Sequence, residues 1–253
     1  MGVVLLNKKV LRKLTGAMCL LLISMAASIF FKSKGVFFDT GRKLPIYSVQ
    51  TEEKNIAITF DVNWGNSNTK KILDVLDKYN IKATFFLIGN WIDDFPEEVE
   101  EICKRGHEIG NHSNSHPDMT RISTEDMIKE ISIADAKIMK VTGESTKLFR
   151  CPSGAYNDLV VETVNSNGYH CIQWDVDSID WKAQGADNEY NRVMRKVQPG
   201  SILLFHNDGK YTPETLPRII EDLKAKGYSF VKVGDLIYKE NYYINNQGKQ
   251  IKK

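Results

Sequence analysis

Short apolar runs alternate along this chain with longer stretches in which apolar residues recur every three or four positions. The runs that indicate strands are 55–61, 83–88, 107–112, 147–151, 169–177, 201–207 and 228–233. Helical spacing between them is clearest in three stripes: Ile72, Leu73 and Leu76; Val99, Ile102 and Cys103; and Met127, Ile131, Ala134 and Ile138. Strands that alternate with helices predict an α/β fold of parallel βα units. Seven such units close most naturally into a barrel, and an open doubly wound sheet is the alternative.

The first 35 residues follow a different pattern. Four cations between positions 8 and 13 precede the uncharged segment 14–31, which is just inside the ~17–25 residues that span a bilayer. This charge bias favours a cytoplasmic N-terminus. We therefore expect residues 1–35 to form a basic stub and a membrane anchor for an extracytoplasmic protein. A signal peptide cleaved near "SMAAS", which would leave a secreted protein, is the alternative.

Three further segments follow from the same pattern. Residues 36–54 lack apolar periodicity and indicate a linker. Residues 55–237 carry the βα pattern and form the expected domain. Residues 238–253 are polar and rich in tyrosine, which indicates a covering segment followed by a loose tail.

Charge and cysteine content exclude several classes of protein. The chain has 34 basic and 32 acidic side chains, a net charge of +2, so nothing indicates a nucleic-acid partner. The four cysteines contain no CxxC pair, and Cys19 lies in the apolar segment, so neither a disulfide framework nor a zinc knuckle is predicted. Cys151 and Cys171 can pair only if their strands are neighbours, and free thiols are the default expectation.

Side chains that ionise or bind metals follow the predicted strands where each strand ends. They are Asp61, His112, His116, Arg150, Asp177, Asp180 and His206, with Trp181 beside them. In βα barrels this end of the strands forms the reactive face. Two histidines four positions apart beside a carboxylate indicate a metal site, and His206 suits an acid or base. Tryptophans near the acidic loop indicate a pocket wall on which sugar rings could lie.

Five segments in order give the chain a family resemblance: "TFDVNW", "HSNSH", "RCPSG", "DSIDW" and "LFH". Over about residues 55–235 it resembles the polysaccharide deacetylases, carbohydrate esterase family four, with the NodB-homology domain. Within the family it looks most like the sporulation-associated PdaB branch. The resemblance implies a distorted (β/α)7-type barrel behind an N-terminal hydrophobic helix. It also implies hydrolysis of N-acetyl groups on amino sugars of a cell-wall glycan such as peptidoglycan, by a monomer.

The resemblance also implies a role for each motif residue. Asp61 would be the general base, oriented by Arg150, and His206 the acid, partnered by Asp177 or Asp180. His112 and His116 would bind a divalent metal, zinc first and cobalt or another divalent ion as alternatives. The backbone N–H of Ser153 would stabilise the oxyanion. The substrate would contact Trp64, Trp181 and Leu204.

Two positions depart from the family pattern. A second aspartate usually follows the first and binds the metal, but Val62 stands there, and Ser153 replaces a common aromatic residue. Asn63 or Asp61 is then the remaining source of a third ligand. We expect an enzyme, and the alternative is a catalytically silent relative that binds cell-wall glycan or has a structural role.

Overall fold

The computed structural model describes residues 41–253, and a parallel sheet flanked by helices forms its centre. The first strands are β1 (Ser48–Val49), β2 (Asn55–Val62), β3 (Thr84–Leu87), β4 (Glu108–Asn111), β5 (Leu148–Phe149) and β6 (His170–Cys171). The remaining strands are β7 (Val176–Asp177), β8 (Ile202–His206), β9 (Ser229–Phe230), β10 (Tyr242–Ile244) and β11 (Lys249–Lys252).

Helices follow most strands of the sheet. They are α1 (Thr69–Lys78), α2 (Gly89–Asp94), α3 (Pro96–Lys104), α4 (Thr124–Thr142), α5 (Asp158–Ser166), α6 (Ala186–Lys196), α7 (Thr212–Ala225) and α8 (Val233–Leu236). Short 3-10 turns span Met119–Arg121, Pro152–Gly154 and Asp180–Lys182. The predicted stripes of α1 and α4 are buried, as expected of helices that pack on a sheet.

The sheet has the order β6-β5-β4-β3-β2-β8-β7, and β9 adds to the first residues of β2. Every pairing in it is parallel. The two end strands, β6 and β7, are consecutive in the chain, so residues 172–175 cross the gap between them. The predicted distorted (β/α)7-type barrel is therefore confirmed.

The prediction of one strand over 169–177 is wrong, because this stretch forms β6 and β7 at opposite ends of the sheet. The backbone changes partners between them. The Gln173 N–H donates to the Ile46 carbonyl, and the Asp175 N–H donates to that of Ile202. An apolar run shows that a segment is buried but not which strands it pairs with, so the break between β6 and β7 could not be predicted from the sequence.

Alternation along β2 separates the apolar core from the polar face. Ile56, Ile58, Phe60 and Val62 pack in the largest apolar cluster, together with α1, α3 and α7. Thr59 and Asp61 point the other way, as a strand requires, and both contact Arg150. β2 is central in the sheet, so its C-terminal end lies between the ends of β3 and β8.

Both ends of the described chain join one small sheet, with the order β1-β11-β10. Ile46 and Val49 are buried, so the expected linker over 36–54 is partly core where the structure describes it. Residues 238–253 form a hairpin rather than a loose tail. Local periodicity missed both features, because a two-residue strand has no period and its partner lies at the far end of the chain.

The predicted anchor at 14–31 and the basic stub before it lie outside the described residues. Within residues 41–253, no helix is long and apolar enough to cross a membrane.

Gly200 offers a test of how β1 is held. It has a φ of +81°, and a Cβ there would collide with the Val49 carbonyl oxygen. Gly143 has a φ of +79° and nothing near its Cβ position. We expect Gly143→Ala to lower the free energy of unfolding by about 1 kcal/mol and Gly200→Ala to lower it by clearly more. Urea denaturation measures both, and equal losses would contradict the close approach.

Candidate active site

A buried ion pair lies where β2 and β5 end. An Arg150 guanidinium nitrogen lies 2.7 Å from Asp61 Oδ1 and 2.8 Å from Thr59 Oγ1. A second nitrogen donates to the Gln173 carbonyl at 3.2 Å. The guanidinium carbon lies 4.0 Å from the centre of the Phe86 ring. Both terminal nitrogens of Arg150 are therefore held, while Nε has no hydrogen-bond partner, and the arginine fixes one oxygen of Asp61.

Electrostatics keep Asp61 ionised. Burial raises the pKa of Asp61, but Arg150, through its charge and hydrogen bond, together with the neighbouring His112 and His206 outweighs burial, so the net pKa is lowered from 3.8. Burial lowers the pKa of Arg150, but a guanidinium keeps its charge because its ordinary pKa is above ~12. Asp61 thus remains a carboxylate at neutral pH, with Oδ2 free of the arginine.

His112 faces that second oxygen. Its Nδ1 lies 2.8 Å from the Arg150 carbonyl, which can only accept, so Nδ1 carries the proton. Burial lowers the pKa of His112 to about 4, so the ring is neutral and Nε2 has a lone pair. Nε2 is buried without a hydrogen-bond partner and lies 3.5 Å from Asp61 Oδ2. The unpaired buried lone pair of Nε2 favours a cation there, and Asp61 Oδ2 lies beside that position.

The neighbouring groups extend this donor set. The His116 ring lies 5.0 Å from that of His112, and burial lowers its pKa, which keeps it neutral. Asn63 Oδ1 is buried without a hydrogen-bond partner. Two neutral imidazoles and one amide oxygen, with a carboxylate beside them, suit a divalent cation.

This site has fewer acidic donors than a usual catalytic metal site. Across residues 41–253, no group of three His, Cys, Asp or Glu side chains is arranged to hold a metal. Val62, at the position of the usual second aspartate, is fully buried in the apolar cluster behind β2. The donors fit a cation only if Asn63 contributes its neutral amide oxygen.

A second buried pair lies at the end of β8. His206 Nδ1 lies 2.7 Å from Asp180 Oδ1, and Asp180 Oδ2 accepts from the His206 backbone N–H at 2.6 Å. Burial lowers the pKa of His206, but Asp180 outweighs it and raises the net pKa above 6.5. Asp177, the alternative partner, instead accepts from the Ile179 backbone N–H. Asp180 turns inward because Ile179 has a left-handed backbone, with a φ of 55°.

Both pairs open into one cleft of about 680 Å³. Arg150 lies deeper, but every other residue that the sequence predicts to catalyse or to contact substrate lines this cleft. They are Asp61, Trp64, Ser153, Asp177, Asp180, Trp181, Leu204 and His206. Asn63 and His116 line it too, while His112 lies beneath. Trp64 and Trp181 are 62% and 60% exposed, so two indole faces are open to a ligand at the rim.

The sequence analysis missed several residues that shape the cleft. Asp208, Gly209 and Lys210 line it after β8, and Thr212 donates to Asp180 Oδ2 at 3.2 Å. Thr59 and Gln173 complete the contacts of Arg150. The signal for Thr59 was present, because it lies two positions before Asp61 and so on the same strand face.

Comparison with known proteins agrees with this geometry. The family model described as polysaccharide deacetylase matches residues 48–172. The peptidoglycan-N-acetylmuramic acid deacetylase PdaA of Bacillus subtilis is 34% identical over 198 residues, which cover 77% of this chain and 75% of PdaA. The chain belongs to the polysaccharide deacetylase family. The peptidoglycan-N-acetylglucosamine deacetylase PgdA of Listeria monocytogenes is 35% identical, with 81% of this chain and 43% of PgdA covered.

A similar solved structure is not an active enzyme. A carbohydrate esterase family 4 pseudoenzyme from Bacillus anthracis superposes with a TM-score of 0.73 at 35% identity, over 76% of this chain and 68% of the pseudoenzyme. A mutant of it is described as having restored enzymatic activity. The family therefore contains members in which the fold persists without catalysis.

The ion pair predicts a pH-dependent loss of stability. Arg150→Met leaves Asp61 buried without its cation, and we expect the free energy of unfolding to fall by about 3–5 kcal/mol at neutral pH. In the wild type, the pKa of Asp61 is lowered in the folded state. Asp61 therefore stabilises the fold fully above pH 3.8, its ordinary pKa, and this stabilisation is lost as pH falls through the folded-state pKa. In the variant burial raises that pKa, so the deficit should shrink on acidification.

Urea denaturation at neutral and mildly acidic pH measures this difference. The Arg150→Met/Asp61→Asn double variant is the control, because it removes both charges and should recover part of the loss. A deficit that does not change with pH would mean that Asp61 is not the group left unpaired.

Proposed function

We propose that this protein is a divalent-metal-dependent hydrolase that removes N-acetyl groups from amino sugars of peptidoglycan or a related cell-wall glycan. The observation that carries the proposal is the pair of buried ionised dyads, Arg150–Asp61 and Asp180–His206, on one cleft. Burying such charged dyads is costly, and a protein that only binds glycan needs neither dyad. Amide hydrolysis needs a base for water and an acid for the leaving amine, and the dyads suit these two tasks.

In this proposal Asp61 accepts the proton of the attacking water through Oδ2. Arg150 holds Oδ1 and keeps the carboxylate ionised before the reaction. The metal would be held by His112, His116 and Asn63, which leaves Asp61 Oδ2 for the water, and it would polarise the acetyl carbonyl and the water. Asp61 is thus the base of the reaction, and the acid lies on the same cleft.

His206 supplies the second proton transfer. Its Nδ1–H is directed to Asp180, so its second proton is on Nε2. The raised pKa keeps this imidazolium available at neutral pH, and it would protonate the departing amine. The Ser153 backbone N–H would donate to the oxyanion. Leu204 would contact the acetyl methyl group, while the exposed indoles of Trp64 and Trp181 would stack on sugar rings.

The proposed substrate has a consequence for location. Peptidoglycan lies outside the cytoplasmic membrane, in agreement with an anchor or signal peptide at 14–31 and an extracytoplasmic domain. Relatives that deacetylate N-acetylmuramic acid and N-acetylglucosamine units leave both sugars as candidates. We propose that the protein acts as a monomer, because the cleft is complete within one chain, and a role in sporulation belongs to the same proposal.

Acetate release tests the reaction. The purified full chain in mild detergent, with zinc or cobalt added, should release acetate from peptidoglycan. Asp61→Asn and His206→Ala should each lower kcat by about 100-fold or more, because each removes a proton-transfer group. Lys210→Gln, an exposed side chain on the cleft outside both dyads, is the matched control and should keep most of the activity. Unchanged turnover in either dyad variant would contradict the assigned roles.

A silent glycan-binding relative is the second candidate, and Val62 is the observation that favours it. Isothermal titration with zinc distinguishes the two. We expect the wild type to bind zinc, and Asn63→Ala to weaken binding about 10-fold or more because it removes a donor. Val62→Asp places a carboxylate in the apolar cluster behind β2, so a gain in zinc affinity would require the end of β2 to turn this side chain into the cleft. If wild type binds no zinc and Val62→Asp both binds it and releases acetate, the chain is a silent relative.

A further inference from the structure

Glu189 is a buried carboxyl behind the Asp180–His206 dyad, and the mechanism above does not use it. It lies on the first turn of α6 and is 2% exposed. Its Oε1 has no hydrogen-bond partner, and in the part of the chain that the structure describes no cation lies within ion-pair distance of it. Burying a carboxylate without a cation is costly, and only the hydroxyls of Thr215 and Thr212 act to lower the pKa of Glu189.

Thr212 connects Glu189 to the dyad. The Thr212 hydroxyl oxygen lies 3.2 Å from Asp180 Oδ2 and 3.4 Å from Glu189 Oε2. A hydroxyl has one proton to donate. If Thr212 donates it to Asp180, the contact with Glu189 is a hydrogen bond only when Glu189 carries a proton and donates it. The shorter contact of Thr212 with Asp180 thus matches a neutral Glu189 that donates to Thr212.

Packing fixes this chain of contacts. Thr212 and Asp180 are buried, and Gly209 lies against both, since a Cβ on Gly209 would collide with the Thr212 hydroxyl and contact Asp180 Oδ2. Asp180 also accepts from the His206 backbone. The four side chains Glu189, Thr212, Asp180 and His206 therefore form one hydrogen-bonded series from α6 to the cleft.

The surrounding charges agree with this series. Burial and the charge of Asp180 raise the pKa of Glu189 to about 7, and Glu214 adds to the increase. Asp180, Asp61, Asp208 and Asp177 are the carboxylates that face His206, with His116 across the cleft. Glu189 thus changes charge in the range in which the enzyme would work.

We propose that Glu189 is a positioning residue for deacetylation, which acts on His206 through Thr212 and Asp180. As a neutral carboxyl it donates to Thr212, and Thr212 in turn orients Asp180 Oδ2, which leaves Oδ1 for His206. As a carboxylate at higher pH it adds negative charge to the series and stabilises the His206 imidazolium. The inference rests on the proposed role of His206 as the acid.

NMR titration of His206 in the full chain, labelled with 15N-histidine and held in detergent, tests the coupling without turnover. Glu189→Gln keeps a donor toward Thr212 but cannot ionise. We expect it to match the wild type at about pH 6 and to give a lower His206 pKa. Thr212→Val should reduce the effect of Glu189→Gln, and Asp187→Asn, which neutralises an exposed carboxylate on the same turn of α6, should leave the titration unchanged.

Kinetics give a second readout. At about pH 8, Glu189→Gln should lower kcat by about threefold to tenfold with little change in KM. This loss is a part of the ~100-fold or more that a general acid supplies. At about pH 6 the kcat of Glu189→Gln should equal that of the wild type, whereas a purely structural role would lower kcat at both pH values. A His206 titration that Glu189→Gln leaves unchanged overturns the inference. Absence of acetate release in every variant refutes the proposed function, and the titration still decides the role of Glu189.

Discussion

The buried contact between Arg150 and Asp61 is the constraint on which the site depends. It joins the ends of β2 and β5, which are not adjacent in the sheet, because the arginine crosses the inner face beneath Phe86 and Trp174. The same arginine orients His112 through its carbonyl oxygen. One residue thus fixes the base, its charge, and the tautomer of a candidate metal ligand.

The two dyads differ in their electrostatics, and this difference separates their roles. Asp61 has a guanidinium partner and a lowered pKa, whereas His206 has a carboxylate partner and a raised one. Groups with opposite shifts on one cleft are an acid and base pair at neutral pH. Val62 affects neither dyad. Its side chain lies in the apolar cluster behind the strand, away from the cleft, so the valine leaves the proton-transfer groups in place.

The strands and their reactive ends could be predicted from the sequence because both follow local rules. Asp61 and His206 each end an apolar strand, and parallel strands bring such ends to one face. The choice between Asp177 and Asp180 depends on the left-handed backbone at Ile179, which no periodicity reveals. The pairing of β1 with β11 depends on contacts distant in sequence. Glu189 had a weak signal, since it lies four positions before the buried Val193 and so on the inner face of α6.

The pH dependence of acetate release from peptidoglycan by the zinc- or cobalt-loaded protein tests the central claim most directly. The account predicts a bell-shaped profile for kcat. The acidic limb reports protonation of Asp61 and lies at low pH, and the alkaline limb reports loss of the His206 proton and lies above 6.5. His206→Ala should lose the alkaline limb with most of the rate. No acetate release at any pH with metal bound, or a profile that His206→Ala leaves unchanged, would contradict the account.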